Sequence, residues 1–97
     1  MDGRKEKRTP RKLRVRLSSA TQPVAAEHGS TENVSPRGVR VRTDRPWKPD
    51  SLALIKSAQG KPWARARLVY CQTLRASRAF ALGLEFLARS VDWLALA

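Results

Sequence analysis

The sequence predicts an all-β domain, a sandwich or a closed barrel, finished by one short C-terminal helix. Three observations predict it. Apolar residues alternate with arginines in short runs, Leu13–Leu17 and Gly38–Thr43, the period of a strand with one buried and one wet face. Turn residues recur at fairly regular spacing between such runs. The only helical signal of note comes after Ser90, at the end of the chain. Closure into a barrel would also remove the exposed edge strands that invite aggregation.

Residues 1–12 form a basic arm, flexible when unbound, in which Thr9-Pro10 disfavours a continuous helix. The folded domain is expected over 13–97. Leu13–Leu17 opens it as a strand, and Ser18–Pro23 is a polar bend. Val24–Ser30 is ambiguous by pattern and could open a strand running to Val34, with Gly29 at a bulge or hairpin bend. His28 is expected to be exposed. Gly38–Thr43 is a strand with Val39 and Val41 inward and Arg40 and Arg42 outward. Asp44–Asp50 is a loop punctuated by Pro46 and Pro49. Ser51–Lys56 is a buried strand, and Ala58–Pro62 a turn. Trp63–Cys71 sends Arg65 and Arg67 to one face, and its Val-Tyr-Cys end favours strand over helix. Thr73–Arg78 is a hairpin loop. In Ala79–Phe86 the large residues Phe80, Leu82, Leu84 and Phe86 share one face. Ala81, Gly83 and Glu85 share the other, which permits close approach. Ser90 is placed to N-cap the short helix, with Asp92 in its first turn. Trp47, Trp63 and Trp93 read as core or loop anchors.

The chain has 97 residues, enough for one domain with a modest core. Twenty Lys and Arg stand against eight Asp and Glu, a net charge of +12, which calls for an anionic partner. Cys71 is the sole cysteine and His28 the sole histidine. A disulfide within the chain is therefore ruled out, and a metal site is not expected. The N-terminus lacks a secretory apolar core, and no apolar run reaches membrane-spanning length. The expected location is the cytoplasm. No paired carboxylates, Ser-His-Asp or Cys-His set stand at a recognisable spacing, so neither catalysis nor a cofactor is expected.

The informative stretch is Thr31–Thr43. It runs as a strand, breaks at Ser35-Pro36 and restarts at Gly38. Asn33 offers an amide that both donates and accepts, Ser35 a hydroxyl, and Gly38 a backbone free to take positive φ or to meet another molecule closely. An ordinary turn uses the same residue types. The setting adds weight. Arg4 and Arg8 form an R-x-x-x-R spacing before the first strand, and Asn33-x-Ser35-x-x-Gly38 follows. Later come Arg67-Leu68-Val69-Tyr70 and Leu82-Gly83-Leu84-Glu85-Phe86.

This ordered set resembles the PilZ domain family, receptors for the bacterial second messenger cyclic di-GMP. The resemblance runs roughly from Arg4 to Leu87. It implies a small antiparallel β-barrel of about six strands with a C-terminal helix. It also implies a ligand site made of Arg4, Arg8, Asn33, Ser35 and Gly38. The chemistry suits that ligand, which carries two phosphates and two guanines. Guanidinium groups bind phosphate bidentately, stack on purines and donate to guanine O6 and N7. Arg11, Arg14, Arg37 and Arg40 are further candidates that the sequence does not rank. A ligand that orders the arm would act as a switch, signalling to an effector protein. Two other readings stand beside this one. One is a ligand-blind adaptor of the same fold that binds another protein. The other is a basic barrel that binds nucleic acid, which the absence of evident exposed aromatics on a β-face argues against.

Overall fold

Alternation of Val and Leu with Arg makes a strand that must bury one face, and the chain solves this by wrapping six such strands into a closed ring. The computed structural model describes residues 9–10, 12–21, 26–58 and 63–90. The strands are β1 (Thr9–Pro10), β2 (Arg14–Ser19), β3 (Glu27–Val34), β4 (Gly38–Thr43), β5 (Leu52–Ser57), β6 (Trp63–Leu74) and β7 (Ala79–Arg89). All pairings are antiparallel. The ring runs β3-β2-β5-β6-β7-β4, and β4 returns to pair with β3. The two-residue β1 lies along the β2 side of β3, with Thr9 opposite Val34 and Pro10 opposite Asn33. The barrel expected from the resemblance is the fold observed.

The core is built from in-register rows of inward side chains. Val34, Val39, Leu84 and Leu68 form one row across four strands, and Leu17, Ile55 and Ala64 another. All seven are buried. Small core residues, Ala53, Ala64 and Ala66, are also fully buried. They let opposite walls of a narrow barrel come together. Thr31 is a polar member of this interior. Between β1 and β2 the ladder is interrupted, and Thr31 bridges the gap. Its Oγ1 accepts from Leu13 N at 2.8 Å, while its own amide donates to Leu13 O at 2.8 Å.

Most expected elements appear, with shifted ends, and β4 spans the predicted Gly38–Thr43. Several details differ. The irregularity in β3 falls between Thr31 and Asn33, not at Gly29, which pairs normally with Val15. A Cβ at Gly29 would crowd Val41 and the Arg42 carbonyl, so close packing is what that glycine serves. β6 continues to Leu74, and a 3-10 turn at Arg75–Ser77 leads to Arg78 in the left-handed region. Of the large β7 residues, Leu82 and Leu84 are core, while Phe80 and Phe86 are only half-buried. Trp47 anchors its loop as expected, packing on the core and donating Nε1–H to Glu27 at 2.8 Å. Trp63 is instead 42% exposed. His28 is exposed in β3, as expected.

The expected C-terminal helix and Trp93 lie outside the described residues, as do Arg4, Arg8 and Arg11. Among the described residues the one helical turn is Arg75–Ser77. Ser90, the expected helix cap, closes the end of the β6–β7 pair. Its hydroxyl accepts from Trp63 N at 3.0 Å and its amide donates to Trp63 O at 3.0 Å.

Thr31→Val keeps the shape of the buried side chain but strands the Leu13 amide. It should lower unfolding stability by about 1–3 kcal/mol, read as an earlier denaturant midpoint at unchanged slope. An unmoved midpoint would show that the hydroxyl does not support the β1–β2 junction.

Candidate ligand-binding site

The break at Ser35-Pro36 closes into a tight hairpin, because Ser35 and Gly38 bond to each other through main chain and side chain. Ser35 N donates to Gly38 O at 2.9 Å. Gly38 N donates to Ser35 Oγ at 3.2 Å, and Ser35 Oγ lies 3.3 Å from Gly38 O as a donor. Ser35 is 5% exposed. Its first task is therefore to hold the turn shut, leaving Pro36 and Arg37 at the tip.

Gly38 serves a different purpose from the one its sequence context suggests. Among the described non-glycine residues, only Asp50 and Arg78 take positive φ, and Gly38 itself does not require it. A Cβ there would collide with the carbonyl oxygen of Leu84 on β7. The bare backbone thus lets β4 lie against β7, where Gly38 pairs with Glu85 and Arg37 O accepts from Phe86 N at 2.7 Å.

Two bulges turn side chains outward beside this hairpin. The extra residue between Thr31 and Asn33 breaks the period of β3, so that Asn33 faces out, opposite Arg40. The extra residue Val69 between Leu68 and Tyr70 does the same on β6, placing Tyr70 opposite Gly83. The result is one outward row across four strands: Asn33, Arg40, Gly83 and Tyr70. The Tyr70 ring lies on Gly83, where any Cβ would collide with it. The close approach expected on that face of β7 is thus made by the protein's own tyrosine. Tyr70 itself is half-buried on this row.

Arg40 spans the row. Its Nε donates to Glu32 Oε1 at 2.7 Å and its Nη1 to Tyr70 Oη at 3.3 Å. Its Cζ stands 6.0 Å from the Tyr70 ring centre, the outer reach of a cation–π contact. The bond to Glu32 is the main cause raising the Arg40 pKa above its ordinary value, opposed by partial burial and assisted by Tyr70. Arg67 is raised likewise, by Glu85 first and then Asp50. It reaches Glu85 at 3.1 Å and Asp50 at 2.9 Å. Both guanidinium groups are therefore fixed cations.

Between the hairpin and the Tyr70 ring lies a cleft of about 250 Å³. Asn33, Ser35, Gly38 and Arg37 line one side, Arg40 the middle, and Val69, Tyr70, Gly83 and Glu85 the other. The structure brings Asn33, Ser35 and Gly38 together there. Asn33 is half-buried, and its amide has no hydrogen-bond partner among the described residues. Thr9, next in the chain after Arg8, is paired opposite Val34, between Asn33 and Ser35. Arg37 and Arg40, unranked by sequence, both line the cleft. Tyr70 and Gly83 were not picked out as site residues, because a bulge cannot be seen in an alternation pattern. Among the described residues no cluster of three or more metal-ligating side chains is present.

Fold and cleft define a small closed antiparallel barrel with a polar, arginine-lined recess on its outer wall, at the first complete hairpin. Residues 2–92 match the family model described as PilZ domain, nearly the whole chain, and the chain belongs to that family of cyclic di-GMP-binding proteins. No curated protein matches it.

Gly83→Ala should destabilise the fold by about 1–3 kcal/mol, since the new methyl must displace the Tyr70 ring. In a Tyr70→Ala background the same change should cost little. Equal costs in both backgrounds, measured by denaturant unfolding, would remove the tyrosine from the explanation.

Proposed function

We propose that this protein is a cyclic di-GMP receptor in which the basic arm closes over the cleft and the closed arm is read by an effector protein. The observation that carries this reading is the convergence of Asn33, Ser35 and Gly38 on one arginine-lined cleft, with Thr9 paired beside it. Thr9 is pinned opposite Val34. Arg8 is the next residue in the chain, and in this reading its side chain closes on the recess.

The size of the cleft supports a role for the arm. Small-molecule sites usually enclose about 300–1,000 Å³. A recess of about 250 Å³ seats part of a cyclic dinucleotide and leaves the rest without a wall. Residues 1–12, carrying Arg4 and Arg8, would supply that wall. In this reading Asn33 hydrogen-bonds a guanine edge and Ser35 offers its remaining lone pair. The backbone at Gly38 forms the floor of the turn, and the two arm arginines take phosphate or stack on purine. Each arm residue fixed costs roughly 1–2 kcal/mol of conformational freedom, which the charge-assisted bonds must exceed. That balance makes arm position depend on ligand and gives a partner something to recognise. The free thiol of Cys71 fits a reducing cytoplasm. Among the described residues no helix is long and apolar enough to cross a membrane.

Calorimetric titration with cyclic di-GMP, with GTP as control, tests this. Binding should be micromolar or tighter. Arg8→Ala should abolish it, and Arg4→Ala and Ser35→Ala should weaken it. A folded sample that gives no heat with cyclic di-GMP would favour the ligand-blind adaptor instead.

A further inference from the structure

Arg40 is the one cation at the centre of the cleft wall, and its charge already has an occupant. Glu32 holds its Nε at 2.7 Å, with side-chain exposures of 26% for Arg40 and 36% for Glu32. Glu32 does not line the cleft. It stands on the extra turn of backbone made by the β3 bulge, beside the arginine and outside the recess. Arg40 Nη1 is spent on Tyr70, while Nη2 has no partner among the described residues. The guanidinium is thus oriented into the cleft but largely neutralised from behind.

Resting on the cyclic di-GMP reading above, we propose that Glu32 is an affinity-limiting counter-anion. It masks Arg40 until a phosphate takes its place, so a phosphodiester must displace a carboxylate before it gains the guanidinium. Glu32 acts through Arg40 and touches no ligand atom. A carboxylate and a phosphate oxygen compete for the same guanidinium donors, and a phosphate wins only if it brings at least equal charge and geometry. A neutral guanosine can stack on Tyr70 without breaking the Glu32–Arg40 pair, so the mask does not act on it. A half-exposed ion pair of this kind is worth up to about 1 kcal/mol, or roughly fivefold in affinity. The mask therefore biases entry without closing the site.

The experiment is a double-mutant cycle read by calorimetric titration with cyclic di-GMP, with guanosine as the uncharged probe. Glu32→Gln keeps side-chain length and an acceptor oxygen but removes the charge. It should tighten cyclic di-GMP binding about fivefold and leave the melting temperature within a few degrees. Arg40→Ala should weaken binding. Adding Glu32→Gln to Arg40→Ala should then change nothing further. Unchanged or weaker binding by Glu32→Gln, in a protein whose wild type binds, overturns the mask and leaves the receptor reading intact. Tightening that persists in the Arg40→Ala background also overturns it, because Glu32 would then act on the ligand directly. Equal tightening of guanosine binding by Glu32→Gln also overturns it, because the lost charge would then not act by competing with phosphate. Absence of cyclic di-GMP binding by both wild type and Glu32→Gln overturns the receptor reading and this inference with it.

Discussion

The barrel is held shut by an absent side chain. At Gly38 the backbone of β4 lies so close to the Leu84 carbonyl of β7 that no β-carbon fits between them. This contact sits at the seam where β4 joins both β3 and β7. Were β4 pushed away from β7, the ring would open along that seam. The cleft would go with it, since its walls come from the β3–β4 hairpin on one side and β6–β7 on the other. A ladder closed on all strands also leaves no long free edge in the ring, which matters for a domain built almost wholly of strands.

The site follows from that closure plus two departures from regular strand geometry. An unbroken β3 would turn Asn33 into the core beside Thr31, and an unbroken β6 would turn Tyr70 inward beside Leu68. One extra residue in each strand reverses both. The core then keeps apolar rows and the buried, hydrogen-bonded Thr31 and Thr43, while amide, guanidinium and phenol line up on the outer wall. Gly83 completes the arrangement by giving the Tyr70 ring a place to lie. The polar network of Glu32, Arg40 and Tyr70 crosses three strands and fixes the arginine with two bonds, so little reorientation remains when an anion arrives.

Much of this was legible in the sequence. The Val–Arg alternation of β4 and the Leu–Arg alternation of β2 gave the strands and their faces directly. The Asn33–Gly38 motif marked the hairpin that lines the cleft. What was not legible has a physical reason in each case. Bulges depend on pairing with a distant strand, so Asn33 and Tyr70 could not be assigned a face from their own neighbours. Gly38 was read as a turn glycine, whereas its constraint comes from Leu84, far along the chain. Arg40 could not be ranked among so many arginines until Glu32 and Tyr70 were found on either side of it. Trp63 was read as an anchor from its residue type. It lies at the start of β6, paired with Lys56 on one side and bonded through its backbone to Ser90 on the other.

The proposed cyclic di-GMP site is the recess between the Ser35–Gly38 hairpin and the Tyr70 ring. The most direct measurement is a two-dimensional NMR titration of the isotope-labelled protein with cyclic di-GMP. Amide shifts should cluster at Thr9, Asn33 to Ser35, Arg37 to Arg40, Tyr70 and Gly83 to Glu85. Residues of β5, across the barrel, should stay still. Saturable shifts centred on β2 and β5 instead, with the hairpin and Tyr70 unmoved, would contradict it.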